Sequence, residues 1–274
     1  MRAPVPWRWI VLFAAVKLAV TMAVANRYGF HQDELYYLAS SRHLELGYVD
    51  YPPVVPLLAA ADQAIFPGSL VALRFLPALA GSLLIVLTAL IARELGASTR
   101  GQAWAALAAL LSPMFIGGTL MFQTVAFDEL MWAVALLVFT RILRDGGRRT
   151  WLLLGLIVGA GLETKYTIAA LVVAMFIGLL IARRETLTTP WPWAGAAIAV
   201  ALLVPNIAWQ ATHDWISVQY TLSHRGHTDG AVAYWVQQLV LFNPLFLMPA
   251  IAGMVSLARD RRLPRSSTRR SWSS

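Results

Sequence analysis

Two stretches of acidic and tyrosine side chains near the N-terminus contain the residues best suited to chemistry. Residues 31–37 read HQDELYY, and residues 47–53 read GYVDYPP. Carboxylates such as Asp33 and Glu34 can accept protons from hydroxyl groups or bind those groups through hydrogen bonds. Asp33 also has a structural alternative, because aspartate is a good N-cap for the helix expected to follow.

Further along the chain, charged residues stand at the ends of apolar segments, where they could meet the first group. Asp128 and Glu129 open one such segment, and Arg74 lies near the start of another. Lys165 lies in an irregular ETKYT sequence. The alternative to a functional role is that its side chain only extends toward the membrane surface. The alternative to substrate contact for Asp128 is a structural role as an N-cap with a favourable helix-dipole contribution. For Glu129 the alternative is an acid that is simply solvated.

Metal and thiol chemistry have little support in the sequence. The chain has no cysteine, which excludes disulfides, thiolate nucleophiles and cysteine-bound metal centres. His224 and His227 have a spacing that could serve a metal, but two histidines without a third ligand are weak evidence. We therefore predict no metal site and no required cofactor, and a divalent cation stays an open alternative.

The composition places these residues in a membrane protein. Of the 274 residues, 58% are hydrophobic and only 13% are charged, and the mean hydropathy is +0.62. A soluble domain carries about a quarter charged residues. A helix needs about 20 mostly apolar residues to cross a bilayer. The sequence therefore predicts an all-α polytopic membrane protein with about eight crossings, at 8–26, 70–92, 101–122, 125–143, 151–162, 167–182, 190–209 and 231–257.

The distribution of charge orients these predicted helices. Sixteen of the 22 basic residues lie in alternate connections and in the C-terminal tail, together with only four acids. Because basic connections face the cytoplasm, we predict cytoplasmic N and C termini, a plasma-membrane location and an acidic outer face. The net charge of +8 then requires no nucleic acid partner. One membrane domain, 1–258, is followed by a basic Ser/Arg-rich tail, 259–274, which is predicted to be disordered.

The first outer loop, 27–69, is long, and the last outer loop covers 210–230. Within the first loop, residues 34–46 are predicted to form a helix along the membrane surface. The apolar segment Val54–Phe66 is about 20 Å long as a helix, which is too short to cross. The tip of the predicted hairpin 151–182 carries charge, which predicts a watered cavity open to the outside.

These motifs resemble those of a known family. Residues 31–37 and 47–53, an acid at a helix start (Asp128) and residues 162–166 (LETKY) are similar to membrane glycosyltransferases related to the protein O-mannosyltransferases. These GT-C-type enzymes, which include Rgt-like and aminoarabinose transferase groups, use a polyprenyl-phosphate sugar as donor. The resemblance covers about residues 8–255, and such enzymes usually continue with further helices and often an outer soluble domain.

The resemblance implies transfer of a sugar to a hydroxyl acceptor of the cell envelope on the outer face of the membrane. It implies Asp33 as the catalytic base, with Glu34 orienting Asp33 or binding sugar hydroxyls. Lys165 would bind the leaving polyprenyl phosphate, with Arg74 as the second choice. The implied sugar contacts are Tyr36, Tyr37, Asp50, Tyr51, Asp128 and Glu129.

Two other functions stay open at this stage. Charges within a membrane can line a transport pathway, although the sequence shows one broken hairpin rather than the paired discontinuous helices of many transporters. The chain could also be an inactive remnant or scaffold of the family.

Overall fold

The computed structural model describes residues 2–223, 230–243, 246 and 251–255. Among these residues the regular secondary structure is entirely helical, as the composition predicts. The predictions for residues 224–229 and for the tail 259–274 lie outside the described residues. The α-helices are α1 (Trp7–Val24), α2 (Gln32–Ser41), α3 (Val54–Ile65), α4 (Leu70–Glu94), α5 (Thr99–Leu110), α6 (Pro113–Gly118), α7 (Thr124–Asp145), α8 (Arg148–Leu162), α9 (Ile168–Ala182), α10 (Pro190–Thr212), α11 (Ile216–Ser223) and α12 (Gly230–Phe242).

Three of the described helices, α1, α4 and α10, are long and apolar enough to cross a membrane. Of the other predicted crossings, 125–143, 151–162 and 167–182 coincide with α7, α8 and α9, which are shorter or less apolar, and 231–257 begins in α12 and extends beyond the described residues. The structure therefore agrees with a helical membrane protein. The number of crossings and the side of each terminus stay predictions.

The prediction of a single helix over 101–122 is wrong, because the segment is divided into α5 and α6. Ser112 begins α6 as its N-cap, and its hydroxyl accepts the N–H of Phe115 at 3.5 Å. Pro113 is the cause, since proline has no N–H to donate and disfavours helical backbone in the residue before it. The 12 residues of α5 rise about 18 Å, well short of a bilayer core of about 30 Å.

The basic ends of α1, α4 and α7 meet at one acid. The carboxylate of Glu94, at the end of α4, accepts hydrogen bonds from Arg2 at 2.9 Å and from Arg141 at 3.3 Å. Arg144 also donates to it. Three connections that the charge pattern assigns to one side of the membrane therefore lie at one end of the bundle.

The predicted hairpin is present as α8 and α9, joined by residues 163–167. Its first arm packs against α10 through glycine, because a Cβ at Gly155 would lie only 2.2 Å from the carbonyl oxygen of Gly195. Small residues let two helix backbones approach closely within a membrane. This contact holds the hairpin against α10 and so helps to fix Lys165 at its tip.

We expect Gly155→Ala to destabilise the protein, because the added methyl group must push α8 away from α10. Overpacking of this kind costs about 1–3 kcal/mol. Gly178→Ala in α9 is a matched control, since nothing lies within 4 Å of a Cβ at that position and alanine favours the helix. Thermal unfolding in detergent compares the two variants. Equal melting temperatures would contradict the close packing of α8 on α10.

Candidate active site

The helix α2 carries the first motif, and a capping box fixes its first turn. The Nδ1 atom of His31 accepts the N–H of Asp33 at 3.3 Å, and the carboxylate of Glu34 accepts the N–H of His31 at 2.9 Å. The N-cap is therefore His31, which removes the alternative that Asp33 serves as the cap. The helix is also shorter than the predicted 34–46 and ends at Ser41.

Tyr48 explains where α2 ends. Its single hydroxyl proton is shared between the carbonyl groups of Ser40 at 3.2 Å and His43 at 3.0 Å, and its oxygen accepts the N–H of Glu45 at 3.1 Å. The last carbonyl groups of a helix have no partner within the helix. A side chain from the second motif thus completes the helix that carries the first motif.

Glu34 is fully buried and forms a bidentate ion pair with Arg74 of α4. The Nε atom of Arg74 donates to one carboxylate oxygen at 2.8 Å, and the Nη2 atom donates to the other at 2.7 Å. The N–H of Phe122 also donates to Glu34, at 3.1 Å. Burial alone would raise the pKa of Glu34, but the hydrogen bonds from Arg74, His31 and Phe122 hold that pKa below its ordinary value.

The remaining donors of Arg74 bind the chain between α1 and α2. Its guanidinium donates to the carbonyl oxygens of Ala25 at 2.7 Å, Tyr28 at 3.3 Å and Gly29 at 2.9 Å. A guanidinium has five N–H donors, and all five are used. This geometry does not support the predicted role of Arg74 as a phosphate ligand. The same contacts occupy both oxygens of the buried Glu34 carboxylate, which is therefore not available to a substrate. Glu34 and Arg74 instead hold the chain between α1 and α2 in place.

Asp33, next to Glu34 in sequence, points to the accessible side of α2. Its side chain is 46% exposed, and its carboxylate lies 3.7 Å from the Nδ1 atom of His31. The peptide that carries Asp33 is therefore held rigidly while its carboxylate stays open. This combination suits a group that must exchange a proton with an incoming molecule.

A hydrogen bond from Tyr36 holds Asp50 on the same accessible side of α2 as Asp33. The hydroxyl of Tyr36 donates to the Asp50 carboxylate at 2.9 Å. Burial, followed by this hydrogen bond, raises the pKa of Tyr36 to about 12. Tyr36 therefore stays protonated, and the residue remains 44% exposed.

Tyr37 and Tyr51, which were predicted sugar contacts, are buried beneath this surface. Their ring centroids lie 4.8 Å apart, and Tyr37 packs edge-on against Phe122. The hydroxyl groups of Tyr51 and Ser40 lie 2.6 Å apart, and burial raises the pKa of Tyr51. These two tyrosines form the core of the loop, and Tyr36 is the member of the tyrosine cluster that a ligand can reach most easily.

Asp128 is tied to the tip of the hairpin. Its Oδ2 atom accepts the hydroxyl of Thr167 at 2.5 Å, whereas its Oδ1 atom is buried with no hydrogen bond to a described residue. Lys165 lies within electrostatic range of Asp128 and Glu129. The ammonium group of Lys165 makes no hydrogen bond or ion pair with any residue in the described part of the chain.

Glu129 faces the interior of the bundle. It is 7% exposed, and a Cβ on Gly118 would lie 2.9 Å from its Oε1 atom. Lys17 of α1 is within its electrostatic range and donates to the carbonyl oxygen of Phe115 at 3.2 Å. The alternative of a solvated acid is therefore wrong for Glu129. Its burial also places it deeper than the exposed Asp33 and Asp50.

A polar network that the sequence analysis missed anchors the first outer loop to α10 and α11. Asn206 donates to the carbonyl oxygen of Leu46 at 2.8 Å and accepts the hydroxyl of Tyr166 at 2.7 Å. Gln210 donates to Ser217 at 2.5 Å, and Ser217 donates to the carbonyl oxygen of Tyr48 at 2.8 Å. The signal was available, since Asn206 and Gln210 are polar residues four apart in an apolar segment.

The hydroxyl of Tyr37 connects the two halves of the site. It interacts with Thr124, at the start of α7 and one turn before Asp128, and lies within electrostatic range of Asp33 and Asp50. Acids from the two loop motifs thus lie near the N-terminal end of α7. No group of three or more His, Asp or Glu residues that could hold a metal occurs among the described residues, and His224 and His227 lie outside them.

The fold and this site define a helical membrane protein with an acidic and aromatic site at the end of the bundle opposite Glu94. The profile of the dolichyl-phosphate-mannose-protein mannosyltransferase family matches residues 50–209. The chain belongs to this family, which confirms the resemblance found in its motifs. The matched segment contains Asp50, Asp128 and Lys165, and begins after Asp33 and Glu34.

The chain is also similar to one curated glycosyltransferase. The lipid A galacturonosyltransferase RgtD of Rhizobium johnstonii is 26% identical over 196 residues, which is 70% of this chain. The chain spans 41% of the length of that relative. No solved structure matches the chain significantly.

Proposed function

We propose that this protein is a membrane glycosyltransferase that moves a sugar from a polyprenyl-phosphate carrier to a hydroxyl group of a cell-envelope acceptor. The reaction would take place on the outer face of the plasma membrane, and the acceptor would be a glycolipid, a polysaccharide or a protein. The observation that carries the proposal is the open carboxylate of Asp33, held on a rigid turn by the buried Glu34–Arg74 pair. Family membership supplies the reaction class.

In the proposed reaction, the acceptor hydroxyl attacks the anomeric carbon of the sugar while Asp33 accepts the hydroxyl proton. A new carbon–oxygen bond forms to the acceptor, and the bond between the sugar and the phosphate breaks. The electron pair of that bond leaves with the polyprenyl phosphate. A single displacement of this kind inverts the configuration of the anomeric carbon.

The remaining accessible groups suit the sugar and the phosphate. Asp50 and the Tyr36 ring offer an acceptor and an aromatic surface to a sugar, and the Oδ1 atom of Asp128, which is buried, would be a second acceptor for a sugar hydroxyl that reaches it. Negative charge grows on the phosphate oxygen as its bond to the sugar breaks, and a fixed cation stabilises that charge. Lys165 would supply the cation, since its ammonium group makes no hydrogen bond or ion pair with a described residue.

We expect Lys165→Gln to lower the turnover number by about 100-fold, the typical effect of removing one group that stabilises developing charge. Lys165→Arg should retain part of the activity, because it keeps the positive charge on a differently shaped group. Initial rates at saturating donor, with purified protein in detergent, provide the comparison. A Lys165→Gln variant with the turnover of the unaltered protein would exclude this lysine as the phosphate ligand.

Donor consumption tests the function as a whole. Membranes that contain the protein are incubated with polyprenyl-phosphate sugars, including mannose and galacturonic acid, and with envelope glycolipids as acceptors. Loss of one donor in these membranes, and not in membranes with Asp33→Asn, would establish the activity and identify the sugar. No loss of any donor by a stably inserted protein would favour the inactive scaffold instead.

A further inference from the structure

A shallow apolar groove lies between α1 and α5, at the end of the bundle that contains Glu94. Trp9 and Phe13 form one wall, and Ala103, Trp104 and Leu107 form the other, with Arg100 at one end. Trp9 is 43% exposed and Trp104 is 64% exposed, so both indole rings border an open surface.

Two arginines flank this groove. Arg8 lies in the first turn of α1 with its guanidinium carbon 5.3 Å from the centroid of the Trp9 ring, and Arg100 lies in the first turn of α5. Neither side chain forms an ion pair with an acid in the described part of the chain. The starts of the two helices are neighbours, because Thr99 donates to the carbonyl oxygen of Pro4 at 3.2 Å.

The two charged side chains that flank the groove, Arg8 and Arg100, are both positive, and Glu94 at the same end of the bundle is already paired with three other arginines. The first turns of α1 and α5 contain no acidic residue. The dipoles of both helices add partial positive charge at their starts to that of the arginines. An anion placed between Arg8 and Arg100 would therefore meet two cations and two favourable helix dipoles.

We propose that this groove binds one anionic phospholipid of the surrounding membrane. The phosphate lies between Arg8 and Arg100, and one acyl chain follows the groove past Trp104 and Leu107. The rise from Arg100 to Leu107 is about 10 Å, which accommodates the upper part of an acyl chain. Charge complementarity selects the lipid class, since basic residues beside a membrane attract anionic headgroups. The tryptophans match the preference of indole rings for the membrane interface.

Native mass spectrometry of the full-length protein in detergent tests the proposal with two probes, dioleoyl phosphatidylglycerol and dioleoyl phosphatidylcholine. We expect the protein to retain phosphatidylglycerol preferentially. The double variant Arg8→Gln/Arg100→Gln should weaken binding of phosphatidylglycerol by about 30-fold and that of phosphatidylcholine much less, because the choline cation already offsets the charge of its phosphate. Arg183→Gln/Arg184→Gln is the matched control, because it removes the same charge from a connection outside the groove.

A groove-filling variant tests the contacts of the acyl chain independently of those of the headgroup. Ala103→Phe adds bulk inside the groove without a change of charge and should weaken retention of both lipids. Equal retention of the two lipids by the unaltered protein, or equal effects of the two double variants, would overturn the proposal. A dimer that Ala103→Phe converts to a monomer would also overturn it, because the groove would then hold a second copy of the chain.

Discussion

Replacing Asp33 by asparagine is expected to abolish sugar transfer while the fold and membrane insertion remain intact. General-base catalysis typically contributes about 100-fold to 10,000-fold to a rate, and asparagine cannot accept the proton. The side chain is nearly isosteric, and the helix keeps His31 as its N-cap. The loss of one charge from the first turn of α2 costs about 0.3–1 kcal/mol. Initial rates and the thermal melting temperature, measured on the same preparation, separate the two effects.

Glu45→Gln is the matched control for this variant. Glu45 is an exposed acid of the same loop, and it accepts a hydrogen bond from Trp209 at 3.2 Å that a glutamine oxygen can also accept. We expect this variant to keep the activity of the unaltered protein. If Asp33→Asn kept full activity, Asp33 would be excluded as the base. Equal losses in both variants would point instead to the net charge of the loop.

Much of the fold follows from apolar length and from the positions of breaks. The hairpin of α8 and α9 was predictable because the polar residues 163–167, with the charged Glu163 and Lys165, interrupt an apolar stretch that basic residues flank on both sides. The helix α3 was predictable from its apolar segment, which is too short to cross a membrane. Pro113 also indicates the division between α5 and α6, whereas the prediction of one helix over 101–122 rested on apolar length. Hydropathy indicates which residues can lie in lipid, whereas the continuity of a helix depends on the hydrogen bond that each backbone N–H donates.

The candidate site was predictable at the level of motifs and not at the level of roles. The sequence indicated that Asp33, Glu34 and Asp50 belong to one loop. It did not indicate that Glu34 is fully buried against Arg74, 40 positions away, while its neighbour Asp33 stays open. Adjacent residues on a helix face different directions, so the packing of α2 on the rest of the protein decides which acid reaches solvent. The residues around Asp33 and Glu34 do not by themselves predict that packing.

The Glu34–Arg74 pair yields the largest expected change in stability. Removal of one partner of a buried ion pair costs about 3–5 kcal/mol, because the other charge is left buried without compensation. Arg74→Met should produce this loss and also free the carbonyl groups that Arg74 binds before α2. Thermal unfolding in detergent measures the effect. Arg2→Met at the opposite end is the control, since a partly exposed pair contributes about 1 kcal/mol or less.

A double-mutant cycle then shows whether the two side chains act together. Glu34→Gln alone removes the charge that compensates Arg74, whereas Glu34→Gln/Arg74→Met removes both charges at once. The double variant should therefore be destabilised by less than the sum of the single variants, with a coupling of about 2 kcal/mol. Because Glu34 and Arg74 position Asp33, variants that still fold should lose turnover more than donor affinity. Additive destabilisation, or an Arg74→Met variant that melts with the unaltered protein, would show that the pair does not organise the loop.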